Sequence, residues 1–335
     1  MFTEYGDVQY SNKFTGELSL LYNVDGIRDL EYKLCEKHSH VLDADIAVKR
    51  FLHLTDKYYD RDKAFRGKIA PLARKYLSSL EGISYRSRSG YDKTYFYTNK
   101  LIVSAAYNKV LKLILGAKPL APVFGPGGGK SYEKLRIDNM NVKHLIIEPE
   151  NFIAATQSFV HDVLSIIRDE DEPPFITDHL FPPEKTSEYF KYVGEDVKAI
   201  ILRRDPRDTY ILAKEIYKGK IPVPCDTVDK FIWYYKQKIE QTKQEDTDKI
   251  LNIQFEDLIY SYDVTRNKIE SFLNIKSHIS PKKYFDPNRS IVNTCLFRRY
   301  RQYERDVSVI ESMLPKSLFK FDNYNTNDNH HASVF

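Results

Sequence analysis

The stretch at residues 196–214, Asp-Val-Lys-Ala-Ile-Ile-Leu-Arg-Arg-Asp-Pro-Arg-Asp-Thr-Tyr-Ile-Leu-Ala-Lys, constrains the fold more than any other part of the chain. Residues 199–202 are an apolar run between charged neighbours, the pattern of a strand buried on both faces of a parallel sheet. Arg203 and Arg204 close it. Asp205 then suits a helix N-cap, Pro206 the first helical position, and Asp208 the second half of a capping box. The stretch therefore predicts a strand, a tight turn and a helix start, with two arginines at the strand's carboxyl edge. In open α/β sheets ligands bind at that edge, and a helix N-terminus beside arginines favours a phosphate. A surface Arg–Asp network closing an ordinary βα turn is an equal reading of the same residues.

Composition excludes little but narrows the class. A chain of 335 residues has room for one large α/β domain or two smaller ones, and its 42% hydrophobic and 29% charged residues are ordinary for a globular protein. A net charge of +4 is compatible with an anionic ligand and does not by itself point to nucleic acid or a membrane. Cys35, Cys225 and Cys295 are isolated, which suits a reducing compartment and argues against a disulfide scaffold. No apolar run is long enough to span a bilayer. The expectation is a soluble protein without a membrane span, cytoplasmic if bacterial.

Helical periodicity predicts helices over residues 27–37, with Leu30 and Leu34 inward, and from Asp43 or Asp45 onward, with Ile46, Ala47, Phe51 and Leu54 as its stripe. Further helices are expected over 64–80, 99–115, 152–167, 227–239 and 307–314, and a buried strand over 250–254. His161 falls off the stripe of the 152–167 helix, and Trp233 suits either a half-buried packing role or stacking on a ligand ring. His38 and His40 have no third metal ligand near them. Arg86-Ser87-Arg88-Ser89-Gly90 has the look of a phosphate loop without a buried strand before it. Gly125-Pro126-Gly127-Gly128-Gly129-Lys130-Ser131 is one residue short of a Walker A spacing and follows a proline-containing stretch, so it reads as a loop. Residues 322–335 are polar and read as a disordered tail.

Four segments in one order carry a resemblance. Arg204-Asp205-Pro206-Arg207-Asp208 after its apolar strand resembles the 3′-phosphate-binding segment of sulfotransferases that use 3′-phosphoadenosine 5′-phosphosulfate. Phe255-Glu256-Asp257-Leu258, with Ser271-Phe272-Leu273-Asn274 after it, resembles that family's strand, Glu-Asp-Leu, helix, Phe-Leu-Gly passage. Tyr284-Phe285-Asp286-Pro287-Asn288-Arg289-Ser290-Ile291-Val292 resembles its late nucleotide-covering loop. Pro174-Phe175-Ile176-Thr177-Asp178-His179 resembles the strand that carries its catalytic base.

The resemblance, covering roughly residues 150–315, implies an α/β fold: a parallel-sheet, P-loop nucleotide-kinase-like sulfotransferase domain over 1–321. Residues 56–145 would form a largely helical insertion. It also implies 3′-phosphoadenosine 5′-phosphosulfate as co-substrate, no metal, no nucleic acid, and a small-molecule or glycan acceptor, a sugar being favoured by the Tyr, Arg and Lys of the insertion. His179 would be the general base; Arg204, Arg207, Asp208, Arg289 and Ser290 would contact the cofactor, with Arg207 lying along the surface and mattering less. The Glu256–Asp257 pair would fix loop structure.

Three departures accompany it. Thr177 stands where the family often has a lysine, and Leu212 where it has a serine, so a hydroxyl would come from Thr209 or Ser290. No Gly- and Ser/Thr-rich phosphosulfate loop precedes Phe14, which predicts either a chain lacking its first strand and loop or one that has lost half of its cofactor site. A non-catalytic binding protein is therefore the alternative to the enzyme, and a kinase using Lys130 a remoter one.

Overall fold

The computed structural model describes residues 1–10, 18–36, 41–88, 106–107, 109–110, 113–114, 141–168, 175–240, 245–276 and 278–321. His38, His40, the glycine-rich 125–131 segment, most of the expected 99–115 helix and the 322–335 tail lie outside them.

Along the chain run β1 (Gln9–Tyr10), α1 (Ile27–Glu31), α2 (Val41–His53), α3 (Ile69–Ser79), β2 (Gly82–Arg88), β3 (Asn141–Ile147), α4 (Pro149–Ile167) and β4 (Phe175–Ile176). Then follow β5 (Ala199–Arg203), α5 (Pro206–Ile211), α6 (Val228–Tyr235), β6 (Ile250–Gln254), α7 (Phe255–Tyr260), α8 (Tyr262–Leu273), α9 (Pro287–Ser290) and α10 (Glu304–Met313). The chain divides into two compact units, Met1–Ser19 with Ile167–Phe335, and Leu20–Ile166.

The fold is mixed α/β. Among the described residues the strands pair two by two: β1 with β4 and β5 with β6 in parallel, β2 with β3 antiparallel. The expected parallel sense is there, in the register Ala199↔Ile250 to Arg203↔Gln254, but a single broad central sheet is not what these residues form. Strands β1 and β4 have two residues each, which leaves little ladder to extend.

In the first unit, β6 buries Leu251 and Ile253 with Leu258 and Ile269, and Ile200, Phe272 and Phe285 pack against them. Each such side chain contributes roughly 1.5–3 kcal/mol on leaving water. A second core gathers Tyr210, Ile211, Phe231, Ile232, Leu296 and Ile310 where α5, α6 and α10 meet. Helices α5 and α6 each run on into a π-helical turn, Leu212–Ile216 and Lys236–Glu240. Helix α8 stops at Asn274, whose φ of 56° puts it in the left-handed region that ends helices and that only Gly and Asn enter readily.

The turn after β5 forms as the sequence predicts, with one change. Asp205 caps α5 by accepting the Arg207 N–H at 2.8 Å, and Pro206 occupies the first turn. Asp208 does not complete the box. The Asp205 N–H it would receive goes instead to Glu256 Oε1 at 3.0 Å, while Asp208 accepts the Phe297 N–H at 3.3 Å. Tertiary packing of α7 against the turn has replaced the local partner.

In the second unit, Tyr76 of α3 stacks on Phe159 of α4 at 4.7 Å and meets Phe51 of α2 edge-on at 5.8 Å. Its buried hydroxyl shares a hydrogen bond with Thr156 at 2.9 Å. The inward stripe of α4, Phe152, Phe159, Val163 and Ile167, matches the periodicity of the sequence. The 56–145 span, expected as largely helical, carries the β2–β3 ribbon beside α3. Arg86 to Arg88 lie within β2 opposite 141–143, so they are strand and not a phosphate loop. Gly82 opens that ribbon because a Cβ there would stand 2.1 Å from the Ile146 carbonyl oxygen. Among the described residues no helix is long and apolar enough to cross a membrane. None of the three cysteines forms a disulfide.

The Asp205 carboxylate also pairs with the Arg207 guanidinium at 2.7 Å, both buried. Breaking a buried pair by removing one partner costs about 3–5 kcal/mol. Asp205→Ala should accordingly lower the unfolding free energy by about 3 kcal/mol or more in a denaturant titration; a loss below about 1 kcal/mol, the size of a simple cap, would contradict this account.

Candidate functional site

A cleft of about 270 Å³ opens at the carboxyl end of β5. Its floor and one wall are Ile201, Leu202, Arg203 and Arg204; Thr209 of α5 adds to them. The opposite wall comes from α6 and its π-helical turn, with Tyr234, Tyr235, Lys238 and Ile239, and Pro183 and Glu184 close the rim. Arg203, Arg204, Lys238 and Glu184 line it together with the apolar Ile201, Leu202 and Ile239, a composition suited to an anion that also carries a flat ring. Lys238 and Ile239 come from the π-helical turn, a feature that recurs at functional sites.

The arginines are held by named contacts. Arg203 donates from Nε to Asn252 Oδ1 at 3.2 Å and from Nη1 to the Ile239 carbonyl at 3.3 Å, which ties β6 and the α6 turn to the cleft. Arg204 donates from Nη2 to the Asn293 carbonyl and lies 5.0 Å over the Phe255 ring. Its Nε is buried and makes no hydrogen bond. Tyr235 reaches the Arg204 carbonyl at 3.5 Å, and Thr209 donates its hydroxyl to the Asp205 carbonyl at 2.9 Å.

Behind Arg204 sit three buried carboxyl groups, Asp205, Asp208 and Glu256. Asp205 is fully engaged with Arg207 and the Phe319 N–H. Asp208 Oδ2 and Glu256 Oε2 have no hydrogen-bond partner. Burial, and next the neighbouring Asp205, push the Asp208 carboxyl well above the ordinary carboxylate range, with Arg204 pulling the other way. Burial likewise raises Glu256 to about 7, against the lowering effect of the Asp205 N–H.

The sequence-predicted residues thus separate. Arg204 lines the cleft. Arg207 does not lie along the surface: it is 8% exposed, stacks 4.1 Å from Phe297, and gives its donors to Asp205, Glu311 and the Phe319 carbonyl. An arginine so spent has no donor fork for a phosphate, and Asp208 is buried beneath the cleft wall. Arg289 is 88% exposed with only a 3.9 Å pairing to Asp286, and Ser290 is half-buried with its N–H on the Asp286 carbonyl. Neither lines the cleft. The late loop instead reaches it through Asn293.

His179 is exposed, with φ at 54°, a left-handed conformation that costs a non-glycine residue of order 1–2 kcal/mol. Its loop continues into Pro183 and Glu184 at the cleft rim. Trp233, 68% exposed, neither packs in the core nor lines the cleft. His161 is exposed, as expected. Sequence reasoning passed over Tyr234, Lys238 and Asn293; a regular 3.6-residue helix gives no signal for the first two, and the third acts through its backbone. Among the described residues no three His, Cys, Asp or Glu side chains group as a metal site. Comparison with models of protein families, with curated proteins and with solved structures finds no match to this chain.

The raised carboxyls make stability pH-dependent with a definite sign. Folded Asp208 and Glu256 keep protons that the unfolded chain loses near pH 4, so the folded state binds more protons between that value and about 7. This contribution is full below pH ~4 and is lost as pH rises through neutrality, at up to about 1.4 kcal/mol per pH unit and group. Denaturant titrations from pH 5 to 8 should show stability falling, and Asp208→Asn should flatten the slope; an unchanged slope would mean that Asp208 is already ionised.

Proposed function

We propose that this chain is a sulfotransferase of the P-loop, nucleotide-kinase-like build, moving a sulfuryl group from 3′-phosphoadenosine 5′-phosphosulfate to an acceptor hydroxyl. The observation that carries the reading is the meeting of Arg204 with Asn293. The residue that the resemblance aligns with the 3′-phosphate lines a basic cleft and touches the residue that directly follows the loop that the resemblance aligns with the nucleotide cover. Two further details support it. Glu256 holds the Asp205 N–H, the loop-fixing role the family gives its Glu-Asp pair, and Asn274 takes the left-handed position where the family has glycine.

In this reading the 3′-phosphate pairs with Arg204, with Arg203 and Lys238 adding positive potential and Tyr234 an aromatic wall for the base. Burial raises Asp208 and Glu256 above the ordinary carboxylate range, which lessens their cancelling of the Arg204 charge. His179 accepts the proton of the acceptor hydroxyl as its oxygen attacks sulfur. The S–O bond to the 5′-phosphate breaks, and 3′-phosphoadenosine 5′-phosphate leaves with the bond's electron pair. A glycan is the proposed acceptor, on the Tyr, Arg and Lys content of residues 56–145; exclusive transfer to small phenols would overturn that choice. Thr177, standing at the family's lysine position, favours as second reading a protein that binds the nucleotide without turnover.

Arg204→Ala should weaken binding of 3′-phosphoadenosine 5′-phosphate by about 1.5–3 kcal/mol in calorimetry, and unchanged affinity in a folded variant would sink the assignment. Arg289→Ala should leave that affinity within about twofold, its side chain being in solvent.

In a chain with an intact phosphosulfate loop, His179→Ala should lower kcat by about 10²–10⁴ with little change in nucleotide affinity. Equal turnover by variant and wild type would remove His179 from the chemistry.

A further inference from the structure

Glu4 is the anomaly of the first unit. A carboxylate three residues from the chain's first residue is 0% exposed, and its contacts lie at the far end of the sequence. Oε1 accepts the N–H groups of Tyr284 and Phe285, both at 2.8 Å, and Oε2 meets His278 Nε2 at 3.0 Å. The Glu4 carbonyl takes the Ile279 and Ser280 N–H groups at 2.9 and 3.2 Å. Burial alone would raise this carboxyl; the Phe285 N–H, the His278 ring and the Tyr284 N–H hold it below the ordinary glutamate value. The Met1 amine also acts on the carboxylate, but the carboxylate's three hydrogen bonds fall on residues 278–285, and a buried ionised group so bonded is a clamp on that segment.

The clamped segment leads to the cleft. Phe285 is followed by Asp286, which caps α9 through the Asn288 N–H at 3.0 Å, and α9 passes through a 3₁₀ turn to Asn293. The Asn293 carbonyl receives Arg204. Loop 284–293 is therefore fastened at its start by Glu4 and at its end by the arginine that faces the cleft. The position of the Asn293 carbonyl, and with it the direction of the Arg204 guanidinium, is then set by Glu4 at Tyr284 and Phe285 together with the Arg299 bond to the Val292 carbonyl and the Tyr260–Thr294 bond at the loop's end.

We propose that Glu4 is a positioning residue of the anion site: by clamping the start of loop 284–293 it sets the Arg204 guanidinium for the nucleotide phosphate. This rests on the nucleotide reading of the cleft, and two readouts keep the ideas apart. Glu4→Gln retains the shape and removes the charge. It should speed amide exchange across 284–294 by about tenfold or more and weaken binding of 3′-phosphoadenosine 5′-phosphate about tenfold.

Asp7→Asn is the control. Asp7 ties the same terminal segment to the Lys276 N–H, outside the loop, so it should leave both readouts within about twofold even where the unfolding midpoint drops. If Glu4→Gln does not fold, His278→Asn, which removes the contact at Oε2 and the ring stacked on Tyr5 but leaves both N–H bonds at Oε1, carries the same test with a smaller loss expected. Unchanged nucleotide affinity in a folded clamp variant, with a wild type that binds, overturns the proposal; so does equal weakening by Asp7→Asn. A wild type that binds no nucleotide sinks the functional reading instead. The clamp is then judged on exchange alone, and unchanged protection of 284–294 refutes it.

Discussion

Asp205 is the interaction on which the carboxyl end of β5 depends. One fully buried carboxylate takes the Arg207 N–H and Nε on Oδ1, and Arg207 Nη2 and the Phe319 N–H on Oδ2. Its own N–H is fastened to Glu256. A single side chain thereby ends a strand, starts a helix, neutralises a buried arginine and draws in the chain near residue 319. Such a charge is tolerable away from water because every lone pair it exposes is met by a donor. The second core, with Phe297 and Phe321 against the Arg207 guanidinium, closes over that arrangement.

The arginines at this turn serve different masters. Arg207, in the first turn of α5, is swung inward by aromatic stacking and saturated by acceptors. Arg204, one residue before the cap, cannot reach Asp205 in the same way and is left with one carbonyl, one ring face and the cleft. The unpartnered oxygens of Asp208 and Glu256 add a second condition. Their raised titration lessens, near neutrality, the negative charge of a cluster with more acids than bases.

Much of this was legible in the sequence, and the failures share a cause. The apolar run of β6, the stripes of α4 and α6, and the Asp-Pro helix start are local patterns, and the fold honours them. Strand β5 forms where its run predicts but is not buried on both faces, since among the described residues it pairs with β6 alone and Leu202 is 56% exposed. What escaped was non-local. Asp208 had the spacing for a capping box, but Glu256, remote in sequence, took the N–H it needed. Arg207 read as a surface residue because nothing near it in sequence reveals Glu311 or Phe319 as partners. The β2–β3 ribbon joins residues far apart, and periodicity carries no information about such pairing. In the site, Arg204 was legible because the strand edge and the helix start flank it. Tyr234 and Lys238 were not: Tyr234 stands off the apolar stripe of α6, Lys238 lies in the π-helical turn after it, and neither position marks a cleft wall in the sequence.

The division within Arg204-Asp205-Pro206-Arg207-Asp208 bears on how such a string should be interpreted across evolution. Asp205, Pro206 and Arg207 make their contacts within the fold, whatever the cleft holds. A lineage that abandoned its ligand would stay under selection to keep them, while Arg203, Arg204 and Lys238 could drift. Persistence of the five-residue string is thus a record of architecture in most of its letters and of chemistry in one. Relatives would be sorted into binders and non-binders by the first arginine and its neighbours on the α6 turn, not by the string as a whole.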